Sequence, residues 1–83
     1  MVKVLYFAGL REAVGTARED IALETGVADI AGLRRQLAAR GEPWAALARM
    51  RNLRAALNQE MVAESALVAD GDEVAFFPPV TGG

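Results

Sequence analysis

The 83-residue sequence contains neither cysteine nor histidine. The first absence excludes disulfides and thiolate metal sites. The second removes the commonest general base and metal ligand. Aromatic residues are few, at 6%, and no apolar run approaches the ~20 residues of a membrane span. A phosphate loop, a Gly-rich dinucleotide fingerprint and a Cys/His cluster are all missing. The chain therefore offers no catalytic constellation of its own. What it has in quantity is apolar residues, at 53%, more than the core of one small domain hides. Met1 leads directly into a strand-like segment rather than a signal peptide. A cytoplasmic protein without membrane association is expected.

The net charge is −2, unevenly spread. Six of the nine basic residues fall between Arg34 and Arg54, and the first and last thirds are mostly acidic. A basic stretch can be a nucleic-acid footprint. Here the arginines recur at helix-like spacings without interleaved aromatics, which favours a solvated helix face and no nucleic-acid partner. The acidic remainder is suited to a basic partner surface.

Val2–Ala8 reads as a strand, β-branched and aromatic with Lys3 at an alternating position. Leu10–Gly15 has room for one or two helical turns. Arg18–Glu24 alternates as a second strand, antiparallel to the first. Asp29 is placed to cap the main helix, whose Ile30, Leu33 and Leu37 form one apolar stripe, with Gly41 at the C′ position. Pro43 suits the first position of a short helix through Met50, with Trp44 and Leu47 turned inward. Leu53–Asn58 and Glu60–Ala63 make short strands around Asn58-Gln59. Ala69–Asp72 is a tight turn around Gly71, which the Asp70 side chain can close. Its three acidic residues, Asp70, Asp72 and Glu73, read as a solvated turn rather than a cation site. Glu73–Phe77 is the last strand. A hairpin, a crossing helix and later strands predict an α+β, ubiquitin-like β-grasp: a mixed sheet on one main helix, with the first and last strands adjacent and parallel.

Four of the five aromatics sit in two dipeptides, Tyr6-Phe7 and Phe76-Phe77. Alternate strand side chains face opposite ways. Because Lys3 belongs in water, Lys3, Leu5 and Phe7 share the open face, and Val2, Val4 and Tyr6 face the helix. On the last strand Val74 and Phe76 point inward, Ala75 and Phe77 outward. With Met61, these outward residues make either an exposed apolar patch of the kind that marks a partner surface, the favoured reading, or rings covered by the small Leu10–Val14 helix or a loop.

The chain ends in FFPPVTGG. Residues 1–77 form the expected domain and 78–83 an extended tail. Pro78 and Pro79 hold their neighbours extended, so the tail reaches up to roughly 20 Å at ~3.3 Å per residue. Gly82 and Gly83 have no Cβ, and a flexible Gly-Gly end can thread a channel too narrow for other residues. What arrives there is one α-carboxylate, unreactive as an acyl donor until phosphorylated or adenylylated.

Asp70–Gly83, DGDEVAFFPPVTGG, resembles the C-terminal signature of the small subunits of molybdopterin synthase. Lys3–Gly15 is similar to that family's N-terminal segment and Asn58–Val62 to its middle strand, and the likeness loosens between Ala39 and Leu53. The resemblance implies a sulfur carrier of molybdenum-cofactor biosynthesis, the non-catalytic subunit of a heterotetrameric synthase. In that family a ubiquitin-activating-like adenylyltransferase uses ATP to adenylate the terminal glycine, here Gly83. Sulfur, ultimately from a cysteine desulfurase or related sulfurtransferase, then gives a thiocarboxylate. The tail, here Pro78, Pro79, Val80, Thr81 and Gly82 ahead of Gly83, threads into the large subunit. There two sulfur deliveries convert cyclic pyranopterin monophosphate to molybdopterin. No cofactor is expected on the carrier itself. The family's apolar partner contacts match Phe7, Met61 and Phe77. Rival readings are the sulfur carrier of thiamine thiazole synthesis, a protein modifier forming isopeptide bonds, and an interaction module with no terminal chemistry.

Overall fold

Alternation of Val2, Val4 and Tyr6 with Lys3 and Leu5 produces a strand, β1 (Val2–Tyr6), whose first set is buried and whose Lys3 is exposed. In the computed structural model, which describes residues 1–78, the order continues with α1 (Ala8–Val14), β2 (Arg18–Ile21), α2 (Ile30–Ala38) and α3 (Ala46–Arg49). It closes with β3 (Arg54–Leu57), β4 (Glu60–Val62) and β5 (Glu73–Phe77). The sheet order is β2-β1-β5-β3-β4. β1 and β5 are parallel central neighbours, and the other pairings are antiparallel. This is the expected ubiquitin-like β-grasp.

α2 supplies the helical half of the core. The Gly32 N–H donates to Asp29 Oδ1 at 2.8 Å, a helix cap. A Cβ at Gly32 would lie 3.1 Å from that same oxygen, so the missing side chain leaves room for the cap. Ile30, Leu33 and Leu37 are fully buried with Val4, Tyr6, Val74 and Phe76. Leu10 and Val14 of α1 join them, as does Leu47 of α3.

Several boundaries differ from the sequence pattern: α1 starts two residues early at Ala8, and β3 (Arg54–Leu57) and β4 (Glu60–Val62) are trimmed at their ends. β1 stops at Tyr6 because Ala8 takes a left-handed φ of +55° and starts α1. β2 ends at Ile21 because the Gln36 side chain of α2 takes the next backbone groups: it donates to Ala22 O at 2.8 Å and accepts from the Glu24 N–H at 3.0 Å. α2 ends at Ala38 with its C-cap at Ala39, so Gly41 lies two residues beyond the cap and not at C′. Pro43 sits in a turn, and α3 begins only at Ala46. The Asn58-Gln59 connection is as expected, with both residues at positive φ, the geometry of a tight hairpin turn.

The basic stretch is largely consumed inside the fold. Arg34 Nε donates to Leu47 O at 2.7 Å, its Nη2 to Met50 O, and its Nη1 pairs with Glu64 at 2.6 Å, which ties α2 to α3 and to the segment after β4. Arg40 lies 4.2 Å from the Trp44 ring centroid and pairs with Glu19 at 3.0 Å. Tyr6 Oη donates to the same carboxylate at 2.9 Å. Burial opposes ionisation of Glu19, but hydrogen bonds from Arg40 and Tyr6 outweigh it and hold the carboxyl below its ordinary value. Burial, and then the Glu19 contact, push the Tyr6 phenol up. Arg49 pairs with Glu42 at 2.7 Å. Half of the six cations from Arg34 to Arg54 therefore already hold a carboxylate, which agrees with the solvated-helix reading.

Candidate functional site

The register places two apolar rows on the face of the sheet away from α2. Leu5 pairs with Ala75, Ala75 with Ala56, and Ala56 with Met61, giving one row across β1, β5, β3 and β4. Two residues further toward the C-terminal end of β5, Phe7 lies beside Phe77. Their rings meet edge to face, with centroids 6.4 Å apart and planes at 84°, a favourable aromatic arrangement. The Phe7 N–H extends the ladder by donating to Phe76 O at 3.2 Å. Immediately afterwards the left-handed Ala8 turns the chain into α1.

Phe7 is 46% exposed and Met61 55% exposed. α1 does not cover the rings, because its Leu10 and Val14 go to the core on the opposite side. Ala75 points outward as the alternation predicts, yet it is only 8% exposed. A methyl group between Leu5, Phe77 and Ala56 is too short to reach past them. The low ground it creates forms the floor of an apolar groove of about 430 Å³, walled by Leu5, Phe7, Ala56, Phe77 and Pro78. Glu73 is the one charged residue that reaches this groove, whereas other concavities along the described surface are edged by several, such as Arg54 and Glu64, or Glu24 and Arg35. Leu5 takes the place that its parity with Lys3 predicts. Ala56 and Gln59 also belong to this site although no single-strand motif marks them; the cross-strand register brings in Ala56, and the β3–β4 turn brings in Gln59.

Pro78 thus lines the groove at the end of β5, where the chain leaves the sheet. The tail residues Pro79, Val80, Thr81, Gly82 and Gly83 lie outside the described residues.

The acidic turn is built for structure. Asp72, rather than Asp70, closes it: its carboxylate accepts from the Ala69 N–H at 2.8 Å and from Asn58 Nδ2 at 3.1 Å. Those backbone and side-chain bonds hold the Asp72 carboxyl below its ordinary value. Asn58 Oδ1 accepts from the Glu73 N–H at 3.0 Å, locking the β3–β4 turn to the start of β5. Asp70 pairs with the Met1 ammonium instead. Among the described residues no group of three or more Asp or Glu is arranged to hold a metal ion, and no helix is long and apolar enough to cross a membrane.

The profile of the ThiS family matches residues 4–83. The molybdopterin synthase sulfur carrier subunit of Escherichia coli is 46% identical over 83 residues, spanning the whole of both chains. Its counterpart in Haemophilus influenzae is 42% identical over the same span. Among solved structures, the small archaeal modifier protein 1 of Haloferax volcanii superposes with a TM-score of 0.72 at 27% identity, covering 95% of this chain and 97% of that one.

Proposed function

The chain belongs to the ThiS family, and we propose that it is the sulfur carrier subunit of a molybdopterin synthase. The observation that carries this reading is the full-length relationship to sulfur carrier subunits, joined to an apolar face that ends at Pro78, where the PPVTGG tail begins. Residues 1–77 are the folded carrier and 78–83 the delivery arm, in the cytoplasm. A ubiquitin-activating-like adenylyltransferase spends ATP to convert the Gly83 carboxylate to an acyl adenylate. The outer sulfur of a persulfide supplied through a cysteine desulfurase or related sulfurtransferase displaces AMP to give an acyl disulfide. A second thiol then cleaves that S–S bond, leaving the thiocarboxylate on Gly83 and a disulfide on the donor. Pro78, Pro79, Val80, Thr81 and Gly82 then carry that group into the large, catalytic subunit. There it sulfurates cyclic pyranopterin monophosphate toward molybdopterin. The chain donates the sulfur and its partners supply the catalysis.

The test is intact-mass analysis of the protein after incubation with the activating enzyme, ATP and a sulfur source. Replacement of one oxygen by one sulfur is expected, and the product should convert the pterin precursor when the large subunit is added. A chain that is thiocarboxylated but supports only thiazole formation would overturn the assignment in favour of the thiamine pathway. The likeness to an archaeal modifier protein favours a second reading, covalent attachment to other proteins. Lysine-linked conjugates of this chain in its host would establish it.

Phe7, Met61 and Phe77 form the docking surface for the large subunit in this reading. Phe77→Asp is expected to leave the domain folded, since the ring lies off the core. It should weaken large-subunit binding by about 2 kcal/mol or more, as for a central interface residue. Titration calorimetry beside thermal unfolding checks both halves. Retained binding together with loss of the fold would reverse the assignment of faces.

A further inference from the structure

The open face of the sheet carries charge in a pattern that its apolar rows do not explain. Arg18 of β2 stands opposite Leu5, and Arg54 of β3 stands opposite Phe77. Directly paired residues share a face, so one guanidinium flanks the patch on each side. β1 and β5 lie between them and Arg54 stands two residues further along the strands, which sets the two backbone positions about 16 Å apart at ~4.8 Å per strand and ~3.3 Å per residue. Both are exposed. Among the described residues neither side chain has a hydrogen-bond or ion-pair partner, whereas Arg34, Arg40 and Arg49 each hold a carboxylate.

The carboxylates of this face lie at its other end. Asp20 and Glu73 are both register partners of Lys3, two residues further from the tail than the Leu5 row. The face is therefore polarised. Arg54 borders the end from which Pro78 leaves and Arg18 stands one row back beside Leu5, while a lysine between two carboxylates occupies the far end. An unpaired guanidinium presents a planar fork of donors that matches a carboxylate. Charges at the rim of an apolar contact steer encounter and reject wrong partners more than they add raw affinity.

We infer that Arg18 and Arg54 form a two-point rim that recognises carboxylates on the docking partner. The face thus fits an apolar surface edged with Asp or Glu on the large subunit. The sign is opposite to the one suggested by a net charge of −2, which points to a basic partner. The inference rests on the docking role of this face proposed above.

The test is association kinetics of the full chain with the large subunit of its own organism, at low and high salt, with thermal unfolding as the fold control. The variants are Arg18→Glu, Arg54→Glu, the double reversal and Phe77→Asp. Each single reversal is expected to lower affinity roughly fivefold to tenfold at low salt, mostly through the on-rate. The double reversal should lower it further and flatten the salt dependence. At ~0.5 M salt, where screening acts within about 4 Å, wild type and double variant should converge. Phe77→Asp should stay impaired at both salt concentrations. Arg18→Gln and Arg54→Gln, which add no repulsion, should shift affinity the same way by less. Reversed variants that bind like wild type at low salt, with Phe77→Asp impaired, would overturn the rim and leave the docking face standing. If Phe77→Asp also binds normally, the docking face itself is wrong. Reversal that slows only the encounter with the adenylyltransferase would overturn the assignment to the large subunit.

Discussion

One residue appended after Gly83 is expected to cut sulfur loading by on the order of 10²-fold or more while leaving thermal unfolding unchanged. The fold does not depend on the terminus: the core is closed by Val74 and Phe76, and Gly83 has no side chain to contribute. In the proposed function the chemistry depends on it entirely. An added residue moves the carboxylate away from the nucleotide of the activating enzyme, and misplacement by about 1 Å already costs on the order of 10²-fold. Deleting Gly83 leaves the end short by roughly 3.3 Å and should be as damaging. Replacing Gly82 with Phe should block threading by steric clash, again with the domain intact. Intact mass after activation, run beside calorimetric melting, separates the two effects. Full loading of the extended chain, with no trimming beforehand, would show that the terminal carboxylate is not the carrier.

Leu33→Ala has the largest expected effect on the fold, a loss of about 2–5 kcal/mol. Leu33 is fully buried between Ile30 and Leu37 on α2, the longest of the described helices. Removing three carbons there leaves a cavity walled by strands and helices that cannot collapse independently. A domain of this size has about 5–15 kcal/mol in hand, so the variant should unfold at much lower denaturant. Urea titration followed by Trp44 fluorescence measures it. A loss below about 1 kcal/mol would mean that the side chain is not enclosed as described.

These two residues also mark what was legible in the sequence. Gly71 and Pro78 bracket β5, so its limits follow from turn chemistry and proline alone. Lys3 sets the parity of β1, and through it the outward direction of Phe7. Asp29 and the Ile30, Leu33, Leu37 spacing define the start and buried stripe of α2. What escaped local reading depends on distant residues. The end of β2 is decided by Gln36, which captures the backbone at Ala22 and Glu24. The placement of Arg54 beside Phe77 needs the pairing of β3 with β5, and no pattern within either strand contains it. The near burial of outward-facing Ala75 depends on its larger neighbours Leu5 and Phe77, not on its own alternation.

The position of β5 has a mechanical consequence. It is hydrogen-bonded on both sides, parallel to β1 and antiparallel to β3, and the chain's end emerges from it. With the domain seated on its open face, traction on that end runs along the strand. The bonds to both neighbours are then strained together in shear, whereas a strand at the margin would peel away one bond at a time. If the end is gripped, fed into a channel and withdrawn on each round, as the proposed function requires, it is rooted where the sheet best resists being pulled apart.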